Sequence, residues 1–268
     1  MTRSTVPASG PGRRRRPDAP RERQLPSGRH GLTRGFVAAN QRGRIVEALV
    51  EVVDGFGLQA ASVERVAARA GVSRRTFYEQ FDGRDDLFAH ALDLAARGLH
   101  ARVEAALAAP VAAATAAATP AADAATTDDA AAPATTDDAA APAAADDEAA
   151  TVADDAARLR RGLGALLDGL AEQPPLARLC VVTVLSAGPA ALARRDAWMA
   201  RFADLLDGLA RERGEALPPL TSEGIVGAVY DVVYKRIAAG EGEALPGLLD
   251  HLHGFCLLLL GGASDPRA

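Results

Sequence analysis

The sequence is poor in aromatic residues, in cysteine and in long apolar runs. Aromatic residues make up 4% of its 268 residues, whereas hydrophobic residues make up 49% and alanine supplies much of that share. Alanine and leucine favour helices, while aromatic and β-branched residues favour strands. We therefore predict an all-α fold rather than a β-sandwich, with a length that allows two compact units.

The scarcity of cysteines and of apolar runs also bears on where the protein works. Cys180 and Cys256 lie in apolar stretches, which favours buried free thiols over a disulfide framework. No stretch reaches the roughly 18 to 20 apolar residues that span a bilayer, since Arg178 interrupts the segment 176–187. The arginine-rich N-terminus is not followed by the apolar segment of a secretory signal. We expect a cytoplasmic protein that does not contact a membrane.

Positive and negative charges are segregated along the chain, whose formal net charge is −5. Residues 1–35 are rich in arginine and contain only Asp18 and Glu22 as acids, whereas residues 108–157 contain acids and neither lysine nor arginine. Residues 1–38 are predicted to be a disordered arginine-rich arm. Such an arm adds phosphate or minor-groove contacts to DNA, or it is a solubilising tail or the product of a misplaced start codon; the sequence does not favour one of these readings.

Residues 108–154 have a low-complexity composition of alanine, threonine, aspartate and proline, with a tandem repeat at 126–134 and 135–143. Repeated prolines and the lack of large apolar side chains leave too little surface to bury against the entropy of ordering. We predict a disordered insertion within a helical domain that covers residues 85–268. Repeat expansion in an exposed loop explains it better than a partner-binding role.

Residues 39–84 carry the pattern of a helix-turn-helix. Hydrophobic residues of its second helix recur at i, i+3, i+4 and i+7, on one face: Val63, Val66, Ala67 and Ala70. Ser62 stands where an N-cap belongs, Gly71 where a left-handed residue ends a helix, and Ser73 where the next helix begins. Helices are also predicted before this pair, from about Asn40 to Phe56, and after it, from about Asp85 to Leu107. A tight turn between two such helices predicts a DNA-binding head.

The order of these residues resembles the TetR family of transcriptional regulators. The resemblance spans about 44–92 and rests on Arg44-Ile45, Gly57, Ser62-Val63, Ala70-Gly71-Val72-Ser73, Thr76-Phe77-Tyr78, Phe81, Arg84, Asp86 and Leu87. It implies a three-helix helix-turn-helix head that binds DNA. It also implies a variable helical C-terminal domain that binds a small effector and dimerises, with the effector usually releasing the DNA.

The candidate DNA contacts fall into two groups. Arg74, Arg75 and Thr76 occupy the first turn of the recognition helix and are candidates for base edges, because an arginine can donate two hydrogen bonds to a guanine. Plain phosphate binding is the alternative for both arginines. The resemblance implies phosphate contacts at further positions, which together with Arg44 complete the expected DNA-binding set: Ser62, Ser73, Tyr78 and Arg84.

Two positions depart from the family pattern. The family often has a histidine at the position of Glu79 and an aromatic residue at that of Gln80. Glu79 repels a nearby phosphate unless it turns away or pairs with an arginine. The footprint of the head on DNA is therefore not fixed by the resemblance.

The body is predicted to contain helices at about 155–172, 176–186 and 189–213, followed by two final helices at about 222–239 and 243–260. The apolar stripes of the last two fit a four-helix bundle across a dimer axis, or they complete the core of a monomer. Candidate lining residues of an effector pocket are Arg178, Trp198, Tyr230 and Tyr234, with Arg194 and Arg195 beside them; each is as readily a packing or surface residue.

The leading hypothesis is a homodimeric, sequence-specific regulator, most simply a repressor, that binds palindromic double-stranded DNA and is released by an unknown small-molecule effector. A sequence-tolerant architectural DNA-binding protein without an effector is the alternative. An enzyme that uses Cys180 with His251 or His253 is a weak third hypothesis, because no catalytic constellation accompanies the cysteine. No cofactor and no metal site are expected.

Overall fold

The computed structural model describes residues 34–110, 143–212 and 214–262 of the chain, and these residues form helices joined by short connections. The α-helices are α1 (Arg34–Phe56), α2 (Val63–Ala70), α3 (Arg74–Tyr78), α4 (Arg84–Ala108), α5 (Ala143–Glu172), α6 (Pro174–Val181), α7 (Pro189–Glu212), α8 (Thr221–Ala238) and α9 (Leu249–Gly262). Short 3-10 segments lie at Leu58–Ala60, Thr183–Ser186 and Gly242–Leu248. No strand occurs in these described ranges, and the all-α prediction is confirmed.

Local capping defines the turn between α2 and α3. The Ser62 side chain accepts a hydrogen bond from the Arg65 amide at 3.2 Å, and the Ser73 side chain accepts one from the Thr76 amide at 3.0 Å. Gly71 adopts the left-handed conformation, with φ 64° and ψ 37°, which ends α2 without the steric cost of a Cβ. The three predicted helix signals are therefore confirmed.

The head consists of α1 to α3 and the first turns of α4, packed around a closely filled core. Its largest fully buried side chains come from α1, α3, the turn after α3 and α4: Ile45, Leu49, Phe77, Phe81 and Leu87. Helix α2 adds the smaller Val66. The same cluster continues into the body through Leu179 of α6 and Val184 of the 3-10 segment that follows. The head is thus attached to the body both by the continuous helix α4 and by side-chain packing on α6.

The body is built on the pairing of α4 with α5. A Cβ at Gly162 would lie 2.6 Å from Cδ2 of Leu107, so the absence of a side chain allows α5 to approach α4 closely. The carbonyls at the end of α4 are bound by arginines of α5: Arg158 donates to the Leu107 oxygen at 3.1 Å and Arg161 to the Ala109 oxygen at 2.6 Å. These bonds satisfy carbonyls that have no partner within α4.

Two helices extend into segments that the sequence prediction assigned to other regions. Residues 34–38, assigned to the arm, already belong to α1; the rest of the arm lies outside the described residues. Residues 143–154, assigned to the insertion, belong to α5, which begins directly after Pro142. Once the prolines end, the helix propensity of alanine decides the conformation. The insertion from 111 to 142 lies outside the described residues.

The last predicted helix is also different, since it is divided near Pro246. A 3-10 segment, Gly242–Leu248, leads into α9. The stretch Gly242–Gly261, with a mean hydropathy of 1.4, is long and apolar enough to cross a membrane by length and composition alone, but one such stretch is weak evidence for a membrane span. Glu243 and Asp250 lie within this stretch, so it is not an uninterrupted apolar run.

Candidate DNA-binding surface and effector cavity

The recognition helix α3 separates packing residues from exposed donors. Phe77 is fully buried, whereas Arg74 and Arg75 are exposed and Thr76 is half-buried. The aromatic ring of Phe77 packs edge-on against Tyr78, with 5.5 Å between ring centroids, and Tyr78 remains 53% exposed. The candidate base-reading side chains therefore project from a helix that the head core holds in place.

The other candidate DNA contacts lie around this helix. Ser62 and Ser73 are exposed at the starts of α2 and α3, where each caps its helix. Arg84 begins α4 and its Nε donates to the Asp85 carboxylate at 3.0 Å. The structure brings these residues together on one head, and their contacts with phosphates stay a prediction.

Arg44 is engaged inside the head. Its guanidinium donates to the carbonyl oxygens of Ala70 and Gly71, the latter at 3.3 Å. These carbonyls lie at the end of α2, where helical partners are absent. Arg44 therefore joins α1 to the turn of the helix-turn-helix, a role that the sequence analysis missed, and its DNA contact stays a prediction.

Glu79 pairs with an arginine of its own helix. Nε of Arg75 donates to Oε1 of Glu79 at 3.0 Å. The sequence analysis gave this as one of two ways for a carboxylate to be tolerated near DNA, and the structure selects it. The pair lies on the exposed side of the head, with side-chain exposures of 89% for Arg75 and 53% for Glu79.

A polar cluster joins α1 to α4 behind the recognition helix. The Arg42 guanidinium lies 4.6 Å from the centre of the Phe81 ring and donates to the His90 imidazole at 3.3 Å. Burial, followed by the charge of Arg42, lowers the pKa of His90 below its usual value. The imidazole therefore serves as a neutral acceptor for Arg42 near neutral pH.

The body encloses a cavity of about 550 Å³ between α4, α5, α6, α7 and α8. Its walls are mainly aliphatic and aromatic, with Leu99, Leu166 and Phe202 among them. Exposed residues of α4, Leu94 and Gly98, also line it, so the cavity reaches the surface. A cavity of this size and character is typical of small-molecule sites.

The charged groups at the cavity are already paired. Arg102 donates two hydrogen bonds to the Glu172 carboxylate, at 2.6 and 2.7 Å. Arg195 donates to Asp196 at 2.5 Å and lies 5.4 Å from the centre of the Tyr230 ring. The Tyr230 hydroxyl donates to the Val181 carbonyl at 2.7 Å, and burial raises the pKa of Tyr230.

Two of the four predicted effector residues line the cavity and two do not. Trp198 and Tyr230 line the cavity, as does Arg195. Arg178 is exposed on α6 and Tyr234 packs against the body core, so neither is among the lining residues. The sequence analysis missed Arg102 and Glu172, because only the packing of α4 on α5 brings residues 70 positions apart together.

Trp198 connects the cavity to α4. Its indole Nε1 donates to Oδ1 of Asp93 at 3.2 Å, and Arg194 forms an ion pair with Oδ2 of the same carboxylate. Trp198 is 9% exposed, so its N–H depends on Asp93 for a partner. Asp93 thus joins α4 to the helix that carries a wall of the cavity.

Comparison with known proteins agrees with this architecture. Residues 45–91 match the family model described as "Bacterial regulatory proteins, tetR family". The match identifies residues 45–91 as a helix-turn-helix head of the TetR type. No curated protein matches the chain. The architecture is therefore an N-terminal helix-turn-helix head, of the type found in DNA-binding transcription regulators, followed by a helical C-terminal domain.

Solved structures of low sequence identity share the fold. The fatty acid degradation regulator FadR from Bacillus halodurans is 19% identical, with a TM-score of 0.55, over 84% of this chain and 97% of that one. FadR from Bacillus subtilis, solved in complex with stearoyl-CoA, is 15% identical, with a TM-score of 0.55, over 82% of this chain and 98% of that one. PfmR from Thermus thermophilus is 18% identical, with a TM-score of 0.52, over 80% and 97%.

Cys180 does not have the properties of a catalytic nucleophile. Burial raises the pKa of its thiol to about 12, so the thiolate that attacks substrates is scarce near neutral pH. His253, one of its proposed partners, lies 2.8 Å from the Ala156 carbonyl through Nε2. These observations disfavour the cysteine-dependent enzyme.

Proposed function

We propose that the protein is a homodimeric, cytoplasmic repressor that binds a palindromic operator and is released by a small apolar effector. The observation that carries this proposal is the position of α4. Leu87 and Phe88, near its start, lie in the head core, whereas Leu99, Val103 and Leu107, near its end, line the cavity. A ligand that changes the packing of the cavity therefore acts on the helix that positions the head.

On the DNA side, Arg74, Arg75 and Thr76 are proposed to read base edges in the major groove. Arg44, Ser62, Ser73, Tyr78 and Arg84 are proposed to contact the backbone, which positions the head without specifying sequence. Support comes from the exposure of both recognition-helix arginines and from the buried Phe77 that orients them.

The dimer is proposed to form through α8 and α9. Leu252 and Cys256 of α9 face the body core, while other large apolar side chains of the same helix remain exposed: Phe255, Leu257, Leu258 and Leu259. One head covers too few base pairs to select a site, and a two-fold axis through such a face gives two heads. A second copy of the chain is therefore the proposed occupant of this face.

The change Leu258→Asp tests the dimer. Leu258 is 78% exposed, so the substitution leaves the fold intact but places a charge in the proposed contact. We expect a monomer by sedimentation velocity at micromolar concentration and a large loss of affinity for a two-site operator. The control is Leu220→Asp, at a residue that is 73% exposed just before α8. A Leu258→Asp variant that stays dimeric contradicts the proposed interface.

The effector is proposed to place an uncharged apolar portion in the cavity. Support comes from the aliphatic walls and from the pairing of Arg102 with Glu172 and of Arg195 with Asp196, which leaves neither arginine as a bare cation for a buried anion. The complex of the Bacillus subtilis FadR with stearoyl-CoA makes that molecule a suitable first probe.

The proposed function is tested by selection from random duplex DNA followed by release. We expect the full chain to enrich a palindromic motif and stearoyl-CoA to dissociate the complex in a gel-shift titration. Val226→Trp fills the cavity from a lining position outside the body core, and this variant is expected to bind the motif without responding to the ligand. Binding without any enriched motif favours the sequence-tolerant architectural protein.

A further inference from the structure

The ion pair between Arg75 and Glu79 does little for the stability of the fold. Both side chains are exposed, at 89% and 53%, and surface pairs of this kind are screened by water. The order of the charges is also unfavourable, because the cation lies near the start of α3 and the carboxylate at its end, against the helix dipole. A structural explanation of the pair is therefore weak.

The geometry of the pair restricts how Arg75 can meet a base. A guanidinium can present either its end, with the two terminal NH2 groups, or its side, with Nε and one NH2 group. In the structure Nε is committed to Oε1 of Glu79 at 3.0 Å. The two terminal NH2 groups remain to donate to O6 and N7 of a guanine, which is the commonest specific contact in the major groove.

The carboxylate also changes the charge of the DNA-facing surface. Paired with Glu79, Arg75 adds little net positive charge to the surface. It therefore attracts phosphates weakly at any DNA sequence to which the head binds. Arg74, the neighbouring exposed arginine, makes no ion pair within the described part of the chain. Of the two exposed arginines of the recognition helix, Arg75 is therefore paired with a carboxylate and Arg74 keeps its full positive charge.

We propose that Glu79 is a specificity-determining positioning residue: it holds Arg75 end-on for one guanine and suppresses its contacts with the DNA backbone. The inference rests on the proposed DNA-binding function and deepens it. The attraction between Glu79 and Arg75 is weak in water but grows when DNA excludes water from the pair, so Glu79 holds Arg75 end-on within the complex. In wrong complexes, where Arg75 finds no base to read, Glu79 neutralises the charge of Arg75 and so weakens its attraction to phosphates.

The test compares wild-type protein with Glu79→Gln by selection from random duplex DNA and by titration against a selected and a scrambled duplex. We expect Glu79→Gln to lose about five- to tenfold in discrimination at one guanine of each half-site. Affinity for scrambled DNA should rise, with a slope of log affinity against log salt that is steeper by about 0.9, equivalent to one further phosphate contact.

Two further variants separate positioning from other roles. Glu51→Gln removes the same charge and breaks another exposed arginine–glutamate pair of the head, with Arg69 of α2, and should leave the motif unchanged. Arg75→Lys retains the charge but cannot donate two hydrogen bonds in a fixed plane, and should lose preference at the same guanine. The double variant Glu79→Gln/Arg75→Lys should lose no more than Arg75→Lys alone, because Glu79 acts through Arg75.

The outcomes discriminate between this inference and the function on which it rests. A wild-type motif that Glu79→Gln retains with equal preference at every position overturns the inference and leaves the proposed function standing. Additive losses in the double variant also overturn it, since they mean that Glu79 contacts DNA on its own. Failure of the wild-type protein to enrich any motif overturns the proposed function itself.

Discussion

The head and the body differ in how closely their buried hydrophobic side chains are packed. The head encloses Phe77, Phe81 and Phe88 in a core of fully or nearly fully buried residues. The body buries mainly aliphatic residues around a cavity of about 550 Å³. Base reading requires side chains held at fixed positions, whereas effector binding requires space and a wall that can adjust. The difference fits the two proposed tasks, base reading in the head and effector binding in the body, while α4 runs through both regions.

The sharpest test of this difference is the same truncation in each region. Phe77→Ala removes a fully buried ring from the head core, and we expect a loss of about 3 to 5 kcal/mol in the free energy of unfolding. Phe202→Ala removes a half-buried ring that already faces the cavity, and we expect roughly half that loss or less. Urea denaturation of both variants measures the comparison. Equal losses would mean that the body is packed as tightly as the head.

The next largest effect is expected where the two regions are joined. Asp93→Ala leaves the buried indole N–H of Trp198 without its acceptor, which we expect to cost about 1 to 3 kcal/mol in the free energy of unfolding. Asp231→Ala is the matched control, because Asp231 pairs with Lys235 in an exposed i, i+4 pair worth about 1 kcal/mol or less.

The same pair of variants tests coupling between the cavity and the head. Stearoyl-CoA should lower wild-type DNA affinity, and DNA should lower the affinity for stearoyl-CoA by the same factor. Calorimetric titration with and without the selected operator measures that factor. Asp93→Ala should bring it closer to one, while Asp231→Ala should leave it unchanged. An unchanged factor in Asp93→Ala would assign the coupling to the packing of the head on α6 instead.

The contrast between the regions also decides how far each could be predicted from the sequence. The head is specified by local signals: a serine cap at the start of α2 and of α3, Gly71 at the turn and an apolar face on α2. Each signal acts within a few residues, so the elements and their order follow from the chain itself. The family resemblance rests on these signals.

The body offered few such signals, because its functional features arise from packing over long separations. The pairing of Arg102 with Glu172 and the position of Trp198 against Asp93 depend on how α4, α5 and α7 cross. Tyr234 and Tyr230 are four residues apart on α8, yet Tyr230 alone of the two lines the cavity. Residue type and helical spacing therefore did not distinguish a lining residue from a core residue.

The smallest expected effect concerns the two thiols, which lie in the body and report on its interior. Burial raises the pKa of Cys180 to about 12 and that of Cys256 to about 11, whereas an unfolded thiol titrates near 8.5. Both native thiols therefore stay neutral up to a pH at which the unfolded ones ionise. Stability is complete below about pH 8.5 and falls above it, by about 1 kcal/mol for each thiol at pH 9.5.

Urea denaturation at pH 7.5 and 9.5 measures this loss, with Cys180→Ala as the control that removes the contribution of one thiol. Iodoacetamide, which reacts with the thiolate, provides a second measure at pH 8. Native Cys180 should react far more slowly than it does in urea. Because Cys180 borders both the cavity and the head core, its rapid reaction in the native protein would mean that water fills the cavity. A water-filled cavity would contradict an apolar effector site and weaken the contrast between a filled head and a body that holds space for a ligand.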